Sequence, residues 1–182
     1  MTIIRKASPG DAAVIAHIYT ETWRDTYAGM IPDRVLLSMS DRRHAAQWAR
    51  NLRNSRSREL AMVAEDDGEG IVGFGSCGPA KEQKLGAAGE IYTLYVLSDF
   101  QGLGLGKRLL AALFQTLVDK GLDSALIWVL APNPARFFYQ AMGGTQVAVR
   151  AEPFHGACLD EMAFLWPNLA AAIAPSGPCS AA

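Results

Sequence analysis

Short apolar runs, some alternating and some unbroken, mark strands at residues 3–8 (IIRKAS), 59–64 (ELAMVA), 71–77 (IVGFGSC), 90–97 (EIYTLYVL), 124–131 (SALIWVLA), 145–151 and 158–165. Between them, apolar residues recur at helical spacing. Val14, Ile15, Ile18 and Tyr19 form one stripe behind Ser8-Pro9-Gly10-Asp11, which reads as a capping box with proline at the first helical position. That helix ends near Tyr27-Ala28-Gly29, and a more polar helical region runs from Ile31-Pro32-Asp33 to about Asn54. Leu110, Leu113, Phe114 and Leu117 share one face of the strongest helix, 103–120. Residues 133–142 form a short helix stopped by Gly143-Gly144. The acidic turn 65–70 (EDDGEG) joins its flanking runs as a hairpin. Run 124–131 is apolar almost throughout, the pattern of a strand buried on both faces. The order β-α-α-β-β-β-α-β-α-β-β predicts a mixed α/β sheet with helices on its faces, not a regular βαβ array.

Composition narrows the functional classes. A length of 182 residues fits one domain, 1–166, with an Ala/Pro/Gly/Ser-rich tail, 167–182, expected to extend past the fold and move. With 50% hydrophobic and 19% charged residues, disorder throughout is excluded. Lys+Arg 17 against Asp+Glu 18 leaves a net charge of −1, which argues against nucleic acid or an anionic membrane as partner. The arginines between 34 and 58 have only Trp48 as an interleaved aromatic and read as a solvated helix face. No apolar run approaches the ~20 residues of a membrane span, and the start MTIIRKASPGD lacks a signal-peptide core, so a soluble cytoplasmic protein is expected. Cys77, Cys158 and Cys179 are far apart, as are His17, His44 and His155, so neither a disulfide framework nor a metal site is expected.

The informative segment is Gln101-Gly102-Leu103-Gly104-Leu105-Gly106-Lys107, between a strand and the strongest helix. Alternating glycines let the backbone turn tightly and approach a ligand, and the helix start offers unpaired N–H groups at the positive end of its dipole. That combination suits a phosphate. A dinucleotide fingerprint from Gly102 would need glycine where Lys107 stands. A P-loop ending at Gly106-Lys107 would need glycine at 101 and Ser or Thr at 108, but Gln101 and Arg108 stand there.

Gln101-x-x-Gly104-x-Gly106, preceded by Leu94-Tyr95-Val96 and followed by Leu109-Leu110, resembles the acetyl-CoA signature of the GNAT N-acetyltransferase superfamily. Asn133-Pro134-Ala135-Arg136-Phe137-Phe138-Tyr139 is similar to that family's second motif, N-x-A-x-x-x-Y before a Gly-Phe pair. The likeness runs from Ile3 to about Trp166, with the opening I-R-x-A-x-x-x-D and the W-R-x-T-Y segment, Trp23 to Tyr27. Gly143-Gly144 departs from it where the family has Gly-Phe, leaving a packing aromatic missing.

The resemblance implies a mostly antiparallel central sheet that splays in the middle, with helices on both faces. It implies acetyl-CoA as co-substrate, no metal, and transfer of the acetyl group to a small-molecule or peptide amine by direct attack on the thioester. The main-chain amides of Gln101, Gly102, Leu103, Gly104, Leu105, Gly106 and Lys107 would hold the pyrophosphate. Leu94, Tyr95 and Val96 would line the pantetheine arm, with an N–H near Val96 facing the thioester oxygen, and Asn133 would contact the arm. Tyr139 would be the acid for the departing thiolate, although an unperturbed phenol near ~10 lies about 1.5 units above a thiol, roughly 2 kcal/mol uphill. Orienting the sulfur is then its larger role.

Glu90, eleven residues before Gln101, is the candidate base. Strict alternation places it on the face of Tyr92 and Leu94; the alternative is a solvent-exposed carboxylate at a strand end. Trp23, Arg24, Tyr27, Tyr92, Phe154 and His155 are the candidate acceptor pocket, with core packing an equal explanation for the aromatics. A noncatalytic acyl-CoA-binding module of the same fold is the alternative function. A hydrolase is excluded, because Ser76 has Phe74 where a nucleophile elbow needs glycine. Monomer and homodimer both remain open.

Overall fold

Seven strands form one sheet in the order β1-β2-β3-β4-β5-β7-β6. They are β1 (Thr2–Lys6), β2 (Leu60–Asp66), β3 (Gly70–Pro79), β4 (Gly89–Val96), β5 (Ala125–Leu130), β6 (Thr145–Phe154) and β7 (Ala157–Trp166). The structure, a computed structural model, describes residues 1–54, 57–82, 85–154 and 157–174. Every neighbouring pair is antiparallel except β4 and β5, which run parallel. That parallel pairing covers only Gly89↔Ala125 and Glu90↔Leu126, after which the two strands part. The sheet is therefore mostly antiparallel and splayed at its centre.

Helices cover both faces. On one, α4 (Leu105–Val118) buries Leu110, Leu113 and Leu117 against Cys77, Ile91 and Ile127. On the other, α1 (Ala12–Tyr27) and α3 (Asp41–Arg53) bury Ile15, Ile18 and Trp48 against Val63 and Phe74. Each such side chain contributes about 1.5–3 kcal/mol by leaving water. The capping box forms: the Ser8 N–H donates to Asp11 Oδ2 at 2.7 Å, opening a short 3-10 turn that runs into α1. α2 (Asp33–Ser38) bridges α1 and α3. Arg34, Arg42, Arg43, Arg50 and Arg53 are exposed, as a solvated face requires. No helix among the described residues is long and apolar enough to cross a membrane.

The segment read as a tail is packed at its start. α6 (Leu169–Ile173) buries Leu169 completely, and the Leu169 N–H donates to Asp123 O at 2.8 Å. Ordered structure thus continues past Trp166, because Asn168 caps a new helix through its Oδ1, 3.0 Å from the Ala171 N–H.

The missing aromatic at Gly144 also has a physical reason. A Cβ there would stand 2.7 Å from Trp166 Cζ2 and 3.0 Å from Tyr139 O. The Trp166 ring fills that space, held by its Nε1–H on Met142 O at 2.9 Å. Gly144→Ala should cost about 1–3 kcal/mol by overpacking. In a thermal melt that lowers Tm by roughly 2–4 °C per kcal/mol for a chain of this size; an unchanged Tm would show the ring is free to yield.

Candidate active site

A one-residue irregularity in β4 sets the site. The β3–β4 register slips between Ser76↔Thr93 and Cys77↔Ile91, so Tyr92 is the extra residue. Such a bulge re-aims side chains. Ile91 and Leu94 both pack on α4, whereas Thr93 and Tyr95 face the α1 side, where Thr93 Oγ1 lies 2.9 Å from Ser76 Oγ. Glu90, neighbour to Ile91, lies on the α1 side as well. The expectation that Glu90 shares a face with Tyr92 and Leu94 therefore fails for Leu94, because strict alternation takes no account of a bulge. Glu90 is buried, and its Oε2 accepts the Lys81 N–H at 2.9 Å. Tyr92 donates to Pro79 O at 2.6 Å, and burial pushes its pKa up to about 12.

Where β4 and β5 part, a cleft of about 890 Å³ opens. Residues from Glu90 to Val96 on β4 and Ile127 to Leu130 on β5 bear on it, and Gln101, Gly102, Gly104, Gly106 and Lys107 line its far end. Gly102 and Gly104 take φ of +74° and +78°, a region that disfavours side chains, and nothing lies within 4 Å of a Cβ added at either. The first helical hydrogen bond from this loop is donated by Arg108 to Gly104 O at 3.1 Å, so the amides of Leu105, Gly106 and Lys107 precede the helical ladder. This open, glycine-lined helix start fits a pyrophosphate. Leu103, with an exposed side chain, and Leu105, buried in the core, do not line the cleft.

The Leu97 N–H donates to Val72 O on β3 at 3.0 Å. By alternation the Val96 N–H points to the other edge of β4, into the gap. Gln101 Nε2 bonds Val96 O at 3.0 Å, tying the glycine loop to that edge.

α5 (Ala135–Ala141) carries Tyr139 against the same cleft. Tyr139 is buried. Burial, with a smaller contribution from nearby Tyr27, raises its pKa well above that of a free phenol. Asn133, also buried, accepts the Ala135 N–H on Oδ1 at 2.8 Å and donates from Nδ2 to the Tyr27 hydroxyl at 3.0 Å. Trp23 donates from Nε1 to the Tyr95 hydroxyl at 2.9 Å, so Tyr95 presents its ring to the α1 side.

Trp23, Tyr27 and Tyr92 do line the cleft. Arg24 does not: it is exposed on the outer side of α1 and bonds Glu21 Oε1 at 3.0 Å. Its helical phase, one residue after Trp23, turns it to solvent. His155 lies outside the described residues, as does the side chain of Phe154.

Sequence reading missed a charged cluster that lines the cleft. Arg150 on β6 bonds Glu161 Oε2 through Nη2 at 2.9 Å and Glu82 Oε1 through Nη1 at 2.9 Å, and its guanidinium stands 3.9 Å over the Trp128 ring. Arg150 and Glu161 are cross-strand partners. Only the β6–β7 register could have paired them. Among the described residues no group of His, Cys, Asp and Glu could hold a metal ion.

Residues 15–143 match the family model described as "Acetyltransferase (GNAT) family". The chain is 34% identical over 171 residues to an uncharacterized N-acetyltransferase, YuaI, of Bacillus subtilis (strain 168), covering 94% of this chain and 96% of that protein. Among solved structures, a ribosomal-protein-alanine N-acetyltransferase from Brucella melitensis superposes with a TM-score of 0.71 at 24% identity, over 90% of this chain and 98% of that one. The PaiA N-acetyltransferase of Thermoplasma acidophilum, solved in complex with coenzyme A, superposes with a TM-score of 0.65 at 21% identity, over 89% of this chain and 98% of that one.

Proposed function

Because the chain belongs to the GNAT acetyltransferase family, we propose that its cleft transfers an acetyl group from acetyl-CoA to a primary amine by direct attack on the thioester. The observation that carries this reading is the juxtaposition across one gap. A glycine-lined helix start lies at one end, the Val96 amide on the strand edge, and a buried carboxylate, Glu90, at the other end. All these groups fall within residues 1–166, the span read as one catalytic domain.

In this reading the loop amides from Gln101 to Lys107 hold the pyrophosphate without needing a basic composition. Leu94, Tyr95 and Val96 flank the pantetheine arm, and the Val96 N–H donates to the thioester oxygen, where negative charge builds during attack. The amine must lose a proton to attack, since a free alkylamine has a pKa near ~10.4. Glu90 accepts it, held in place by the Lys81 N–H. The acceptor enters at the end lined by Trp23, Tyr92, Trp128 and the Arg150–Glu161 pair. A small amine or a peptide amine fits that chemistry.

Tyr139 faces the departing sulfur. Its raised pKa makes full proton transfer to a thiolate more uphill than for an ordinary phenol, so it serves as a hydrogen-bond donor. Tyr139→Phe should lower kcat about 10-fold, the worth of one such bond, and leave the shape of the pH–rate profile unchanged. Loss of an alkaline limb in that profile would instead show that Tyr139 does transfer its proton. The experiment that tests the whole reading is amine-dependent release of CoA thiol from acetyl-CoA across a panel of primary amines.

A further inference from the structure

The cleft is walled by an unbalanced set of charges. Apart from Lys107 in the glycine loop, its charged lining among the described residues is Lys81, Glu82, Glu90, Arg150 and Glu161, three carboxylates against two cations. Both cations are engaged. Lys81 Nζ stands 4.4 Å from the centre of the Tyr92 ring. Glu161 takes the Nε and Nη2 edge of Arg150, Glu82 takes Nη1, and the Trp128 ring covers one face at 3.9 Å. A further carboxylate, Glu152, lies 3.6 Å from Nε. The fork of Arg150 is therefore filled by the protein and offers little to an anionic acceptor. Its carboxylate partners keep capacity: both bonds to Glu161 fall on Oε2, at 3.1 and 2.9 Å, which leaves Oε1 to other donors.

Glu161 faces the α1 side of the sheet. By alternation on β7 it shares the face of Leu159, which packs with Leu130, the cross-strand partner of Glu161, against Tyr27 and Ile31. Burial raises the Tyr27 pKa, the bond from Asn133 opposes it, and the Glu161 charge raises it again, so that charge stands near the Tyr27 hydroxyl. Tyr27 and Trp23 stack with ring centroids 4.7 Å apart, and aromatic faces attract cations. On the same wall, Thr22 Oγ1 is buried with no hydrogen-bond partner, and Thr22 lines the cleft. An unpaired buried hydroxyl calls for a ligand atom, and an N–H donor satisfies it as it satisfies a carboxylate. One ammonium cannot serve both Glu90 and Glu161. Glu90 pairs with Leu126 and Glu161 with Leu130, about 13 Å further along β5, and each carboxylate is held, by the Lys81 N–H and by Arg150. We propose that the acceptor carries a second cationic group, which binds Glu161 beside the Trp23 and Tyr27 rings while the reacting amine meets Glu90. Arg150 is the positioning residue that fixes Glu161. This rests on the acetyl-transfer reading above. Two sources share the chemistry, a small diamine and a basic peptide.

Release of CoA thiol by the full chain at saturating acetyl-CoA tests it with acceptors of matched length. One series is a five-carbon α,ω-diamine, pentylamine and the five-carbon ω-amino acid; the other is alanyl-arginine amide and alanyl-leucine amide. The cationic member should exceed its neutral match in kcat/KM by about 10- to 100-fold, the worth of one charge-assisted hydrogen bond. The amino acid should be the poorest of its series, since its carboxylate meets Glu161 and finds Arg150 occupied. A preference confined to the alkyl series assigns a small diamine, and one confined to the peptides a basic peptide; both support the proposal. Glu161→Gln keeps an oxygen for Arg150 but loses the charge, and should bring the ratio of cationic to neutral acceptor close to unity. A structural defect would instead lower both members alike and leave the ratio intact, which overturns the proposal. Equal kcat/KM within both native series, or a preference for the amino acid, overturns it too while acetyl transfer stands. Turnover of no amine at all overturns the reading beneath it as well.

Discussion

Replacing Gly104 by valine should weaken acetyl-CoA binding about 100-fold, or about 2.7 kcal/mol. Gly104 holds φ at +78° directly before α4, and an added Cβ would meet nothing within 4 Å. The loss therefore comes from two sources other than a clash within the protein. A left-handed conformation costs an ordinary residue about 1–2 kcal/mol, and a β-branched one more. The new methyl groups also stand in the open space where the loop amides face their anion. Gly104→Ala keeps the strain but projects less, and should lose about 10-fold. Calorimetry with acetyl-CoA reads both, and unchanged affinity in Gly104→Val would refute the cradle.

Glu90→Gln should lower kcat by about 10²–10³ while leaving acetyl-CoA affinity unchanged. Glutamine can still accept the Lys81 N–H through its amide oxygen, so the loop that packs over residue 90 keeps its anchor. What it loses is the ability to take a proton. The variant then depends on amine that is already neutral, and that fraction rises tenfold per pH unit below the amine's pKa of ~10.4. Its rate should climb with pH across the neutral range, where the native rate levels off, so the two profiles converge at alkaline pH. Parallel profiles would remove Glu90 from the proton transfer.

Local signals in the chain carried most of the architecture. The hairpin turn at 65–70, the capping box at Ser8 and the glycine loop after 101 are written in consecutive residues, and each forms where those residues stand. What failed was longer in range. Tyr92 bulges because β3 and β4 cannot hold register beyond Ser76↔Thr93, and that pairing leaves no mark within residues 90–97. Gly144 reads as a missing aromatic until β7 brings Trp166 into the space beside it. Arg24 fits a binding motif by its neighbours, Trp23 and Tyr27, but helix phase sends it to solvent. The Glu82–Arg150–Glu161 cluster and the Asn133–Tyr27 bond join segments far apart in the chain, so only the fold brings them together.

Donor site and acceptor site make separate demands, and one measurement joins them. Purified protein mixed with acetyl-CoA should release CoA thiol only when a primary amine is present, with the amine gaining one acetyl group by mass spectrometry. Tight acetyl-CoA binding without thiol release for any amine, small or peptidic, would contradict catalysis and leave a binding module.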